Sequence, residues 1–197
     1  MTRWNSLPNT MKSLMVVASA VLFGMLTSHD GITAEYKEKA AGVLLSRLKD
    51  SKHSLADGIR QADKAYGLAI SAKFEVKADT LMLSVYAAKE GLNKDAERNN
   101  LMELLGDATK AKWGPDIEVF EDKPHIARSA MQLTLMQLTK LTLEDVVKKA
   151  AAAQSGTVYS VTPAIHNGKP AFDVLVATPD SKSIHLTLDL KTGKAIK

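Results

Sequence analysis

The chain has no cysteine among its 197 residues. This excludes disulfide staples, thiol catalysis and anchoring through a lipid-modified cysteine, so stability has to rest on packing alone. Aromatic residues are scarce at 5%, and basic residues alternate with acids, as in Lys37-Glu38-Lys39 and Lys94-Asp95-Ala96-Glu97-Arg98. The net charge of +4 is therefore spread over a mixed, solvated surface, and no basic stripe for nucleic acid forms. The 11 glycines stand one at a time, which leaves no phosphate-cradling loop. His53, His125, His166 and His185 fall in no HExxH or HxH spacing, so no metal ligand set is legible and no cofactor is implied.

One run, Ser13–Leu26, is apolar and free of charge over 14 residues. Crossing the hydrocarbon core takes about 20 residues. Arg3 and Lys12 precede the run, and Ile32, Thr33 and Ala34 offer small residues at its exit. That order predicts a secretory signal peptide over 1–34, cut near Ala34. A start at Met11 shortens its basic region to an ordinary length. The expected product is periplasmic or secreted, with no stable membrane span after processing. It loses Arg3, Lys12 and Asp30, which leaves 163 residues at +3, enough to bury a core.

Behind the leader lies an N-terminal helical segment, 35–53, and then a repeat. Ser54-Leu55-Ala56-Asp57 is echoed by Thr142-Leu143-Glu144-Asp145, each a hydroxyl followed three places later by an acid. This pattern caps a helix start, because the hydroxyl accepts from an orphan amide and the acid favours the positive end of the dipole. Ile59, Ala62 and Ala65 after the first cap, and Val146, Val147, Ala150 and Ala153 after the second, share a helical face. Gly67 and Gly156 are placed to end the two helices.

The period then changes from 3.6 to 2, which marks strands. Tyr159, Val161 and Ile165 alternate up to Asn167-Gly168, and Phe172, Val174 and Val176 alternate beyond it. Asn-Gly between alternating runs predicts a tight hairpin. Ile70, Ala72 and Phe74 lead through Ala78-Asp79 to Leu81, Leu83 and Val85 in the same way. The hairpins superpose at an offset of 89 residues and the caps at 88. Ile184, Leu186, Leu188 and Leu190 form a third strand that closes at Lys191-Thr192-Gly193-Lys194. In the first unit, Leu101, Leu104, Leu105 and Ala108 at helical spacing predict a helix over 93–112, inserted before a short strand at 117–120. A further helix is expected over 124–140, with Ala127, Met131, Leu135 and Leu138 on one face.

A helix, a strand, a turn Asn167-Gly168-Lys169-Pro170, a strand Phe172-Asp173-Val174-Leu175-Val176 and an end Leu188-Asp189-Leu190-Lys191-Thr192-Gly193-Lys194 resemble the PepSY domain. The resemblance is best over Thr142 to Ile196. The unit at 54–140 is similar in its helix and hairpin, with inserted helices and without the terminal Asp-x-x-Thr-Gly-Lys. The fold expected is α+β: two helix-plus-antiparallel-sheet units, 54–140 and 141–197, with extra helices. The resemblance implies a non-enzymatic extracytoplasmic module, found in protease propeptides and associated with peptidase inhibition, and without shared catalytic residues. Asp189, Thr192 and Gly193 match its signature and read as a strand-to-turn closure.

Binding in trans to a peptidase or other envelope protein is the function expected. The outward positions of the second unit, Ser160, Thr162, Asp173, Leu175, His185 and Thr187, are the candidate face; the alternative is that they pack on the first unit. A grouping of Ser160, His166 and Asp173 lacks the nucleophile elbow and oxyanion loop that catalysis needs. Small-ligand or metal binding between the units is the other functional class, although Met82, Met131 and Met136 read as core fillers.

Overall fold

Two capping boxes start the paired helices. Ser54 Oγ accepts from Asp57 N–H at 3.2 Å while the Asp57 carboxylate accepts from Ser54 N–H at 2.9 Å, which opens a helix Leu55–Ala65. Thr142 and Asp145 make the same reciprocal bonds at 3.1 Å each and open Leu143–Ala153. In the computed structural model, which describes residues 41–196, these are α2 and α4. They follow a helix α1, whose described part is 41–47, and a 3-10 turn Leu48–Asp50. The expected leader, 1–34, lies outside the described residues.

Seven strands form one antiparallel sheet: β1 Leu68–Lys77, β2 Thr80–Ala88, β3 Leu101–Asp107, β4 Asp116–Val119, β5 Thr157–His166, β6 Lys169–Ala177 and β7 Ser183–Asp189. Their order is β4-β3-β2-β1-β5-β6-β7. The molecule is therefore α+β. Both hairpins turn on two residues with positive φ, Ala78 (46°) with Asp79 (59°) and Asn167 (49°) with Gly168 (75°), the handedness that matches strand twist.

The repeat extends to the irregularities. The β1/β2 ladder slips between Ala69 and Ser71, and the β5/β6 ladder between Val158 and Ser160, again 89 residues apart. The two units join edge to edge where Ala72 pairs with Val161 and Lys73 with Ser160. Ala72 and Val161 are themselves equivalents at that offset, so their pairing lies where an approximate twofold axis relating the units would pass. The units thus share one sheet instead of stacking two sheets, while α3 from the first unit packs on β5 of the second.

α2 buries Leu55, Gly58, Ile59 and Ala62 on β1 and β2, and α4 buries Leu143, Val146, Val147 and Ala150 on β5 and β6. Ala65 and Ala153, expected on these faces, are the last residues of their helices and are exposed. The two helices lie side by side, and Arg60 reaches Glu144 at 3.0 Å. Beneath them Ile70, Ala72, Leu83, Val85, Leu104, Val161, Phe172, Val174 and Leu188 are fully buried. Burying a side chain of the larger aliphatic or aromatic kind stabilises by roughly 1.5–3 kcal/mol.

The helix expected over 93–112 is absent: Leu101–Asp107 is a strand, β3, and the preceding residues form short 3-10 turns, Gly91–Asn93 and Ala96–Arg98. Leu101, Leu104 and Leu105 mimic helical spacing because β3 is covered on both faces, so its period of 2 is blurred. Gly106 was the local sign against a helix. Its missing side chain admits Trp113, whose Nε1 would lie 2.5 Å from a Cβ there. The strand expected at 117–120 is β4, a fourth strand rather than a displaced third.

The helix between the two units, α3 (Lys123–Gln137), forms as expected but buries a different face. Ser129, Gln132, Leu133, Leu135 and Met136 are buried, while Met131 is 41% and Leu138 55% exposed. The cause is the surface it covers. Ser71 alternates with Ala72, points away from α2, and donates from Oγ to Gln132 Oε1 at 3.1 Å. α3 therefore crosses the opposite face of the sheet, whose polar residues select polar ones from the helix. Among the described residues no helix is long and apolar enough to cross a membrane.

Candidate functional site

The tight turn at Asn167-Gly168 sets the register of the second unit, pairing His166 with Lys169, Thr162 with Asp173 and Ser160 with Leu175. On the next ladder Asp173 pairs with Thr187 and Leu175 with His185. The six candidate residues thus form two adjacent rows, Ser160-Leu175-His185 and Thr162-Asp173-Thr187, on one face of β5–β6–β7. The intervening residues Val161, Val174 and Phe172 point the other way, under α4. A one-residue slip would exchange the two sets.

Asp173 anchors this face. It is buried, at 6% exposure, while His185 beside it is exposed and the other four are half-buried. A buried carboxylate has to be paired. Its Oδ1 lies 3.0 Å from His185 Nε2, within hydrogen-bonding distance. His166 Nδ1 stands 3.9 Å from the same oxygen, and the two rings meet edge to face with centroids 6.3 Å apart. The partner of Asp173 is therefore His185, which the sequence did not single out as such. Ser160 sits in the neighbouring row opposite Leu175, so the Ser160, His166 and Asp173 grouping is not a hydrogen-bonded relay. Among the described residues no three histidine, cysteine, aspartate or glutamate side chains are placed to hold a metal ion. Met136 is a core filler as expected; Met131 is not.

The closing signature works as a turn. Asp189 Oδ1 accepts from Thr192 N–H and Oγ1–H, both at 2.8 Å, and from Lys191 N–H at 3.2 Å. The Thr192 hydroxyl is the largest cause holding the Asp189 carboxyl below its ordinary value. Gly193, at φ +66°, lets the tail pass close to Lys149 of α4. The first unit has a counterpart that sequence comparison missed. Asp107, the last residue of β3, accepts from Thr109 N–H at 2.9 Å and Oγ1–H at 2.7 Å. The registers Val85–Leu104 and Val174–Leu186 make Asp107 the equivalent of Asp189.

A second cluster was also invisible in the sequence. The Phe120 ring meets Tyr86 edge-on at 4.9 Å and stacks on His125 at 5.0 Å, while Asp122 caps α3 by accepting from His125 N–H at 3.1 Å. Burial, followed by the nearby Glu103 charge, pushes the Tyr86 hydroxyl up to about 12. These residues are up to 39 positions apart, so no local spacing signals them.

Residues 140–197 match the model of the family described as peptidase propeptide and YPEB domain, PepSY. No curated protein matches the chain. Among solved structures the chain is similar to a protein described as a putative lipoprotein from Clostridium difficile 630, at 15% identity, covering 75% of this chain and 92% of that one, with a TM-score of 0.38. The matched stretch holds α4, β5, β6, β7 and the Asp189 turn, and this C-terminal unit is a PepSY domain.

Proposed function

We propose that the protein works outside the cytoplasm as a non-enzymatic module that binds a peptidase or another envelope protein in trans. The PepSY domain at residues 140–197 carries this proposal, because the family description names peptidase propeptides. The leader read over 1–34 supplies the route out of the cell. The face of β5–β6–β7 suits recognition: Leu175 offers apolar contact, the Ser160, Thr162 and Thr187 hydroxyls offer hydrogen bonds, and the Asp173–His185 bond holds the surface rigid. Buried Asp173 is engaged in structure rather than poised over an open cleft.

Affinity capture from an envelope fraction, followed by activity assays on any captured peptidase, tests the proposal. The expected result is a partner that binds the wild-type protein and is lost on combining Ser160→Lys with Thr187→Lys, which leave the Asp173–His185 bond in place, with melting curves to separate a lost surface from a lost fold. No partner at all, or equal capture by the double variant, would count against it.

A further inference from the structure

The two edges of the sheet are not alike. The outer side of β7 is partly covered by the chain's own tail: Asp189 N–H donates to Lys194 O at 2.8 Å, Ile196 N–H donates to Thr187 O at 2.9 Å, and Leu188 bridges Ala195. Among the described residues nothing covers β4 in that way. All four of its residues are exposed, Ile117 at 53% and Val119 at 50%.

The ladder shows which main-chain groups are free. Phe120 N–H donates to Leu101 O at 2.9 Å, in register with the pairs Glu103–Glu118 and Leu105–Asp116. By the alternation of an antiparallel ladder Glu118 and Asp116 also bond inward, and the N–H and C=O of Ile117 and Val119 point off the sheet. β4 contains no lysine, proline or bulge; its guards against other chains are its length of four residues and the negative charges of Asp116 and Glu118, which repel acidic strands and admit basic ones. Ile117 and Val119 instead present apolar side chains on the face they share with Leu104 and Met102. Glu118 stands on the other face directly opposite Glu103, a like-charge pair that repels and that a cation alongside would relieve. Asp116–Asp122 holds four carboxylates and no basic residue.

From this arrangement we infer that β4 is a docking edge for an extended peptide segment that alternates apolar and basic residues. An antiparallel newcomer bonds to the main chain of Ile117 and Val119. Its residues opposite those two lie on the apolar face. The residue between them stands beside Glu118 and Glu103 and is lysine or arginine. This edge is remote in the strand order from the β5–β6–β7 face, so the inference stands independently of the function proposed above.

Fluorescence anisotropy with the full chain and labelled octapeptides tests it. The probes are an alternating valine–lysine peptide, an alternating valine–glutamate peptide, and an isomer of the first with four valines followed by four lysines. The alternating valine–lysine peptide is expected to bind at least tenfold tighter than the other two. Glu118→Lys should weaken it by tenfold or more and strengthen the valine–glutamate peptide. Ile117→Pro removes an outward N–H without touching a bond to β3 and should abolish binding. Melting curves of both variants separate a lost edge from a lost fold. The inference is overturned by equal binding of the block isomer, by no binding, by indifference to both substitutions in folded protein, or by self-association through β4 that shuts the peptide out.

Discussion

Ala78 occupies a left-handed position, φ 46°, in the turn between Lys77 and Thr80, and Ala78→Asn is expected to stabilise the protein. A residue with a Cβ held there loses about 1–2 kcal/mol relative to the right-handed region, and asparagine recovers part of that through local hydrogen bonding. The second unit already has this solution, Asn167 at φ 49° in the equivalent turn. A net gain of about 0.5–1 kcal/mol follows, which for a domain of this size raises the melting temperature by about 1–4 °C. Asn167→Ala should lower it by a similar amount. Ala78→Gly should be nearly neutral, because relief of strain is offset by about 0.4–1 kcal/mol of extra unfolded-chain entropy. Thermal and urea unfolding of the three variants provides the measurement. An unchanged or lower midpoint for Ala78→Asn, together with a neutral Asn167→Ala, would refute the reasoning.

Gly156→Ala should destabilise by roughly 2–4 kcal/mol, since φ is 142° and a Cβ would sit 2.3 Å from the Ala177 carbonyl oxygen; urea titration reads the loss. Asp57 and Asp145 titrate below their ordinary 3.8, Asp57 chiefly through the Ser54 hydroxyl and Asp145 chiefly through the Thr142 amide. Their caps therefore contribute fully above pH 3.8 and are lost as pH falls through the lowered folded values. Combining Asp57→Asn with Asp145→Asn should flatten the fall in unfolding midpoint as the pH drops below 3.8. Leu104→Ala should cost about 2–5 kcal/mol and Ile117→Ala under about 0.5 kcal/mol in denaturant unfolding, because the first is fully buried in β3 and the second lies half out on the edge. Similar losses at both positions would contradict the strand assignment.

The parts legible in the sequence are those whose cause is local. Ser54 with Asp57, Thr142 with Asp145 and Asn167-Gly168 each satisfy backbone groups within four residues, so α2, α4 and the second hairpin are written out in short motifs. Alternation located the candidate face in the same way, because period 2 alone places Ser160, Thr162, Asp173, Leu175, His185 and Thr187 on one side. β3 was misread because a buried strand loses its clean alternation, and α3, which packs against it, comes from a later segment of the chain. The buried face of α3 was misread for a related reason. Its partner is a polar sheet surface, and an apolar stripe is no guide there.

Residue order alone was sufficient for the repeat, its offsets of 88 and 89 residues, the caps, the second hairpin turn and the alternation of Ser160, Thr162, Asp173, Leu175, His185 and Thr187, since these depend on steric and hydrogen-bonding rules spanning a few residues. Tertiary structure decided that the two units share one sheet through β1 and β5, that His185 rather than His166 bonds Asp173, and that β4 is left as an uncovered edge. Those outcomes depend on which distant surfaces meet, and no spacing within the chain encodes that meeting.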